Sequence, residues 1–233
     1  MHYNQDFRRH AVPVALSVAL QPEHIASQSD AEGFYRRYVK RSLDVAVILL
    51  CAPIVLPVML LLVVLVALDG GRPLYRQTRV GRNGRRFTMW KLRTMIPDAD
   101  QALARYLVTS AAARDEWTRT QKLKNDPRIT RVGRFLRRTS LDEVPQLWNV
   151  LTGDMSLVGP RPMLPEQQAL YPGQAYYSML PGITGLWQVS ARNDSEFADR
   201  AFFDSRYAQK MSFKTDISTL YATVRVVTRA TGY

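Results

Sequence analysis

Histidine and cysteine are scarce in this chain of 233 residues, and their scarcity bounds its chemistry. The three histidines, His2, His10 and His24, all fall in the polar N-terminal stretch, and Cys51 is the single cysteine. One cysteine rules out an intrachain disulfide framework and fits a reducing compartment. A core without histidine disfavours Ser-His-Asp and Cys-His catalysis, and a zinc site with them. Catalysis then falls to carboxylates, lysine, arginine, tyrosine or serine. A metal would be a hard cation held by oxygen ligands, with Mg2+ the first choice. Internal repeats are absent, as are Gly-rich nucleotide loops of the GxGxxG or GxxxxGK[ST] kind, so no Rossmann fingerprint is available. Positive charge is what the chain has in excess. It carries 32 basic against 20 acidic residues, a net +12, which suits a nucleic acid, an anionic membrane or a phosphorylated substrate.

The chain divides into three parts. Residues 1–32 are expected to form a flexible cytoplasmic tail. Arg8-Arg9 before the apolar run Ala11–Leu20 resembles a signal-peptide start, but Pro13 interrupts the run and Gln21-Pro22-Glu23-His24 is a poor cleavage site. Residues 33–72 hold a basic flank and a membrane segment. From Val45 to Leu68 there are 24 residues without a charge. As a straight helix they would reach about 36 Å, enough to cross the hydrocarbon core. Arg36, Arg37, Lys40 and Arg41 precede the segment, and Arg72, Arg76, Arg79, Arg82, Arg85 and Arg86 follow it. Basic residues mark cytoplasmic flanks, and Pro53 and Pro57 each remove a backbone hydrogen bond near the middle. A re-entrant course satisfies both observations; a single span with a proline kink is the alternative. Residues 73–233 are expected to form a cytoplasmic catalytic domain.

Within that domain, Asn83-Gly84 predicts a two-residue hairpin between Tyr75–Val80 and Phe87–Leu92. Lys91 and Arg93, two residues apart, would share a strand face, as phosphate contacts or a solvated basic strand near headgroups would require. Residues 98–121 read as one Ala-rich helix. Residues 128–138 read as a basic amphipathic helix suited to a membrane surface, with Arg137 the best placed to point into a site. Ser140-x-x-Glu143 matches a capping box. Pro145 speaks against that phasing, and moving the cap to Asp142 would put Pro145 in the tolerant first turn. Either phasing sets Asp142 at a helix N-terminus, where the macrodipole favours a carboxylate and attracts phosphate. An ionised carboxylate can attack phosphorus without a general base. Gly159-Pro-Arg-Pro162 holds Arg161 on a stiff backbone, as a phosphate clamp needs. Residues 181–193 read as a turn and a short apolar strand, 195–209 as a helix, and 217–227 as a last helix or strand. The fold class expected is α+β, mainly helical with a small β-hairpin, an N-terminal re-entrant (monotopic) membrane helix, and a cytoplasmic catalytic domain with amphipathic interfacial helices.

Taken in order, these stretches resemble the bacterial sugar transferase family, the monotopic polyprenyl-phosphate sugar-1-phosphate transferases. The resemblance runs from about Lys40 to the C-terminus. It includes Lys40-Arg-Ser-Leu-Asp44, Val80-Gly81 with Lys91-Leu-Arg-Thr-Met95, Ser140–Gln146, Gly153–Pro162 and Pro181–Asn193. It implies transfer of a sugar 1-phosphate from a UDP-sugar to undecaprenyl phosphate at the bacterial inner membrane, facing the cytoplasm, with release of UMP. By position, Asp142 would attack the β-phosphate and form a covalent phosphosugar intermediate. Glu143 would help hold Mg2+. Arg137, Arg161 and Arg192 would bind phosphates, and Lys91 and Asp204 match further family positions. The family's membrane helix is broken at a Ser-Pro step; here the step is Ala52-Pro53. The short architecture and the Thr231-Gly-Tyr233 ending resemble exopolysaccharide-initiating members, which often use galactose or glucose. A membrane-tethered nucleic-acid-binding protein is the rival from the charge, but residues 128–138 interleave only Phe135 among their arginines, so no nucleic acid is expected. A non-catalytic membrane scaffold is the other rival. The sequence leaves monomer and homodimer both open.

Overall fold

Val45–Leu68 has no competing periodicity and no charge, so a helix is the only way to satisfy its backbone in an apolar setting. In the computed structural model, which describes residues 33–120, 123–190 and 197–228, this stretch belongs to helix α1 (Lys40–Leu68), entered through a π-helical turn at Tyr35–Val39. The expected tail, residues 1–32, and Arg192 lie outside the described residues. Only 11% of the most apolar window of α1 is buried within the protein, which excludes a soluble core helix. The helix runs unbroken through Pro53 and Pro57. Ala52-Pro53 thus lies within one continuous helix, where Pro53 still lacks the amide that would bond the carbonyl four residues back.

Both ends of α1 pack on the rest of the chain, and its middle does not. Lys40, Asp44 and Ile48 are buried at one end, Leu62 and Val66 at the other, while Leu50 is 81% and Ile54 74% exposed between them. Asp44 accepts hydrogen bonds from Ser156 Oγ (2.6 Å) and the Leu157 amide (3.2 Å). Lys40 Nζ meets Asp216 Oδ2 at 2.6 Å, and Asp216 also accepts from the hydroxyls of Tyr35 and Tyr207, each at 2.6 Å. At the far end, Leu62 and Val66 join Leu92 and Leu136 in one apolar cluster.

The hairpin pairs β1 (Leu74–Val80) with β2 (Arg86–Leu92), with Tyr75 opposite Lys91. Its connection is five residues, 81–85, rather than two. Val80 already pairs with Arg86, and Asn83 (φ 58°) and Gly84 (φ 75°) supply their left-handed conformations inside a wider 3-10 turn. The single helix expected over 98–121 is two, α2 (Ala99–Thr109) and α3 (Ala111–Thr120). Ser110 between them is extended and its hydroxyl accepts the Ala113 amide (3.2 Å), so a serine that competes for backbone donors starts a second helix. Helix α4 (Arg131–Thr139) begins later than expected, capped by Thr130 Oγ1 on the Gly133 amide at 2.9 Å. Arg128 precedes it and forks onto Asp126 at 2.6 Å, both side chains buried.

The capping box does not form. Ser140 takes a left-handed conformation (φ 56°) that terminates α4, and a 3-10 turn, Leu141–Glu143, leads into α5 (Gln146–Thr152) with Pro145 just ahead of it. Proline lacks the amide that an interior position must donate, so the helix starts after it. Past α5, β3 (Ser156–Val158) pairs in parallel with β4 (Gly182–Thr184), a second small sheet not foreseen from sequence. Leu186–Ser190, expected as strand, is helix α6; α7 (Arg200–Lys210) and α8 (Phe213–Thr228) complete the described chain. The protein is thus mostly helical, with one antiparallel hairpin and one N-terminal apolar helix.

Candidate active site

Alternation along β2 sets the first site residue. Phe87 and Met89 are buried, and Lys91 lies on their side of the strand two residues further on. Helix α5 is tied to this strand by Asn149, whose Oδ1 accepts the Trp90 amide (3.0 Å) and whose Nδ2 donates to the Thr88 carbonyl (2.7 Å). The side chain completes the open edge of β2 as a neighbouring strand would. That docking brings the turn before α5 onto Lys91. Lys91 Nζ stands 2.7 Å from Glu143 Oε1 and 3.5 Å from Asp142 Oδ2.

Arg161 reaches the same carboxylate from the stiff Gly159–Pro162 loop, its Nη2 3.4 Å from Glu143 Oε1. Arg137, at the end of α4, donates Nε–H to Thr94 Oγ1 at 2.9 Å and lies within the field of Asp142. Burial, the largest influence on Asp142, pushes its carboxyl above the ordinary carboxylate range. Lys91 pulls it back, Glu143 adds to the rise, and Arg137 and Arg161 oppose it. Burial also makes the Arg137 guanidinium less basic than usual, against the opposing pull of Asp142. A cavity of about 190 Å³ opens beside Glu143 and Arg161, walled by Val144, Leu147, Ile183 and Val226.

Two expected contacts are elsewhere. Arg93 does not share Lys91's target; its Nη2 donates to the Val66 carbonyl at 2.8 Å, satisfying a C-terminal acceptor of α1. Asp204 sits behind the site, accepting the Tyr171 hydroxyl at 2.8 Å in a buried setting. Burial raises its carboxyl from its ordinary 3.8 to about 6. The native state therefore holds this proton more tightly than the unfolded chain. The associated stability is fully present below pH 3.8 and is lost as pH rises through about 6, on the order of 3 kcal/mol in all. In Asp204→Asn that decline should vanish from unfolding midpoints measured between pH 4 and 7.5; parallel curves for the two proteins would refute it.

Gly133 shows how closely α4 is pressed to the site. A Cβ there would overlap the carbonyl oxygen of Thr94, whose side chain holds Arg137. Gly133→Ala is expected to cost about 1–3 kcal/mol by overpacking, several degrees of melting temperature for a domain this size. An unchanged melting temperature would mean that α4 can move aside freely.

Among the described residues no three acidic, histidine or cysteine side chains cluster as a metal cage would. Asp142 and Glu143 still fit Mg2+, which keeps several waters and takes one or two carboxylates together with substrate phosphates. The sequence did not single out Arg79, Thr94 or Arg200, and each proves adjacent to this site. A strand arginine and a helix arginine carry no local signal of convergence.

The family model described as bacterial sugar transferase matches residues 35–230. An undecaprenyl-phosphate galactose phosphotransferase of Salmonella typhimurium is 46% identical over 198 residues, 84% of this chain and 42% of its own length. The exopolysaccharide production protein ExoY of Rhizobium meliloti is 42% identical over 196 residues, covering 83% of this chain and 87% of its own. A UDP-glucose:undecaprenyl-phosphate glucose-1-phosphate transferase of Escherichia coli is 36% identical over 81% of this chain and 40% of its own. The chain thus spans less than half of the Salmonella and Escherichia relatives and most of the Rhizobium one. Matched along nearly all of its described length, the chain belongs to the bacterial sugar transferase family.

Proposed function

We propose that this protein transfers a sugar 1-phosphate from a UDP-sugar to undecaprenyl phosphate, releasing UMP, as the first membrane step of exopolysaccharide or related glycan assembly. The observation that carries the reading is a buried carboxylate, Asp142, held between Lys91, Arg137 and Arg161 beside Glu143. In the first half-reaction a carboxylate oxygen of Asp142 bonds to the β-phosphorus, and the bond from that phosphorus to the bridging oxygen breaks. Its electron pair leaves on UMP. In the second, a phosphate oxygen of the lipid attacks the same phosphorus, and Asp142 leaves as carboxylate. Lys91 and Arg161 neutralise the phosphoryl oxygens, and their fixed positions spare reorganisation when charge develops. Arg137 steadies the carboxylate, and Arg192 is proposed as a further phosphate contact. Glu143 would hold Mg2+, which supplies charge neutralisation on the diphosphate when bound.

The re-entrant course of α1, with the catalytic part in the cytoplasm, belongs to the same proposal. It is supported by the packing of both helix ends on one body while the middle stays bare. Helix α8 exposes Phe213, Ile217, Tyr221 and Val224 along one side, which suits an interfacial helix.

The test is UMP release from UDP-galactose or UDP-glucose by the full chain in membranes with Mg2+ and undecaprenyl phosphate. Parallel lines in double-reciprocal plots of donor against acceptor are expected for the covalent route. Intersecting lines would point to direct transfer, and no release from any UDP-sugar would end the functional reading.

A further inference from the structure

Arg79 and Arg200 hold the most unusual donors outside the steps just described. Arg79, near the end of β1, gives Nη1–H to the Pro162 carbonyl (3.0 Å) and Nη2–H to Gln77 Oε1 (2.6 Å). Arg200, at the start of α7, lies over the rings of Trp187 (4.2 Å) and Phe197 (4.6 Å). The Nε of each is buried and has no hydrogen-bond partner. Neither arginine makes an ion pair among the described residues. A buried, unsatisfied donor costs free energy, more so on a charged group.

The two converge with Arg161. Tyr176 is the hinge of the arrangement: its hydroxyl donates to the Val80 carbonyl and accepts the Met163 amide at 3.3 Å, fastening the end of β1 to the loop that carries Arg161. Burial lowers Arg79 and Arg200 each to about 10, and the positive charge of Arg161 is the next cause for both. Asp204, the carboxylate nearest this group on α7, is occupied by Tyr171. The three guanidinium groups share only Glu143, which pairs with Arg161, and Asp204, which is taken by Tyr171; with two buried N–H groups unused, they describe a phosphate-binding cradle.

We propose that Arg79, Arg161 and Arg200 bind the phosphate that leaves, that of the nucleoside monophosphate. This rests on the sugar-phosphate transfer reading above. A diphosphate joins its two phosphorus atoms through one oxygen, so the second phosphate must lie next to the first. Arg161 spans that step: it touches Glu143, Arg79 binds its loop through the Pro162 carbonyl, and Met163 of that loop shares an apolar cluster with Phe197 and Ala201, which flank Arg200. When the oxygen of Asp142 bonds to the sugar-bearing phosphorus, the electron pair of the broken bond stays on the departing phosphate. The cradle places donors where that charge grows. The lipid's phosphate has the same chemistry and is the competing occupant.

The full chain in detergent micelles separates them. Arg79→Gln and Arg200→Gln should each raise the inhibition constant of UMP at least tenfold, leave the KM for undecaprenyl phosphate within twofold, and keep the melting temperature within a few degrees. Arg79→Lys should recover part of the UMP affinity, since it restores charge without the fork. Unchanged UMP inhibition in both glutamine variants overturns the cradle. A rise in the lipid KM instead assigns it to the acceptor and overturns the leaving-phosphate role. Independently of any variant, UMP but not uridine should protect Arg79 and Arg200 of the wild-type protein from phenylglyoxal, read by peptide mass mapping; equal labelling with and without UMP overturns the proposal. Wild-type protein that neither releases UMP nor is inhibited by it removes the transfer reading itself.

Discussion

Asp142→Asn is expected to abolish UMP release, by at least about a thousandfold, and to leave no phosphosugar bound to the protein. The amide is nearly isosteric but cannot form the acyl phosphate. The loss should not come from unfolding. Burial holds the folded-state affinity of Asp142 for its proton above the ordinary value, so its ionised form costs the native state free energy at neutral pH. Replacing it by a neutral amide relieves that cost, and the melting temperature at pH 7 should be equal or higher. Lys91 keeps its 2.7 Å partner in Glu143, so no cation is stranded. In the wild type, the same raised affinity places the acid limb of kcat/KM at a higher pH than an unperturbed aspartate would, because only the ionised carboxylate attacks. Trapping with radiolabelled UDP-sugar reads the intermediate directly. Asp142→Asn protein that retains label and releases UMP at the wild-type rate would remove Asp142 as nucleophile.

The largest expected effect on stability is at Asp216, far from the chemistry. Asp216 is 1% exposed, and its carboxylate receives three buried groups: the ammonium of Lys40 and the hydroxyls of Tyr35 and Tyr207. Asp216→Ala strands a buried cation and the Tyr35 hydroxyl, while Tyr207 keeps the Val158 carbonyl at 3.2 Å, and breaking such a pair costs about 3–5 kcal/mol. For a domain of this size that corresponds to roughly 10 °C or more in melting temperature. Asp216→Asn keeps acceptor capacity for the tyrosines and should lie between. Because Lys40 and Tyr35 lead into α1, the loss should loosen the apolar helix from the rest, seen as faster proteolysis near residues 33–45. A fall of under 2 °C in Asp216→Ala would show that Lys40 finds water or another partner instead.

These two predictions stand differently with respect to the sequence. Asp142 and Glu143 stand out in it as candidates because a carboxylate pair, a shortage of histidine and a following proline are all local facts. The apolar helix was legible for the same reason: 24 uncharged residues declare themselves without any partner. Arg161 was legible through the prolines on either side of it. The hairpin strands were legible through Asn83-Gly84, although the loop proved wider than the motif suggests.

Asp216 was not legible, since nothing near it in the chain says that Lys40, 176 positions away, will be its partner. For Arg93, strand parity gives only the side on which a side chain leaves, and its Nη2 is bound to the carbonyl of Val66, a partner distant in the chain. At Ser140 a capping box and a left-handed stop use the same residue; Pro145 weighs against the first, and the structure takes the second. Thus the sequence alone determined the chemistry available, which is carboxylate and guanidinium at an apolar anchor. Tertiary structure alone decided which of many arginines meet, through Asn149 docking α5 on β2 and Tyr176 fastening β1 to the Arg161 loop. Local propensity acts over a few residues, whereas the convergence of charges depends on how separate elements pack.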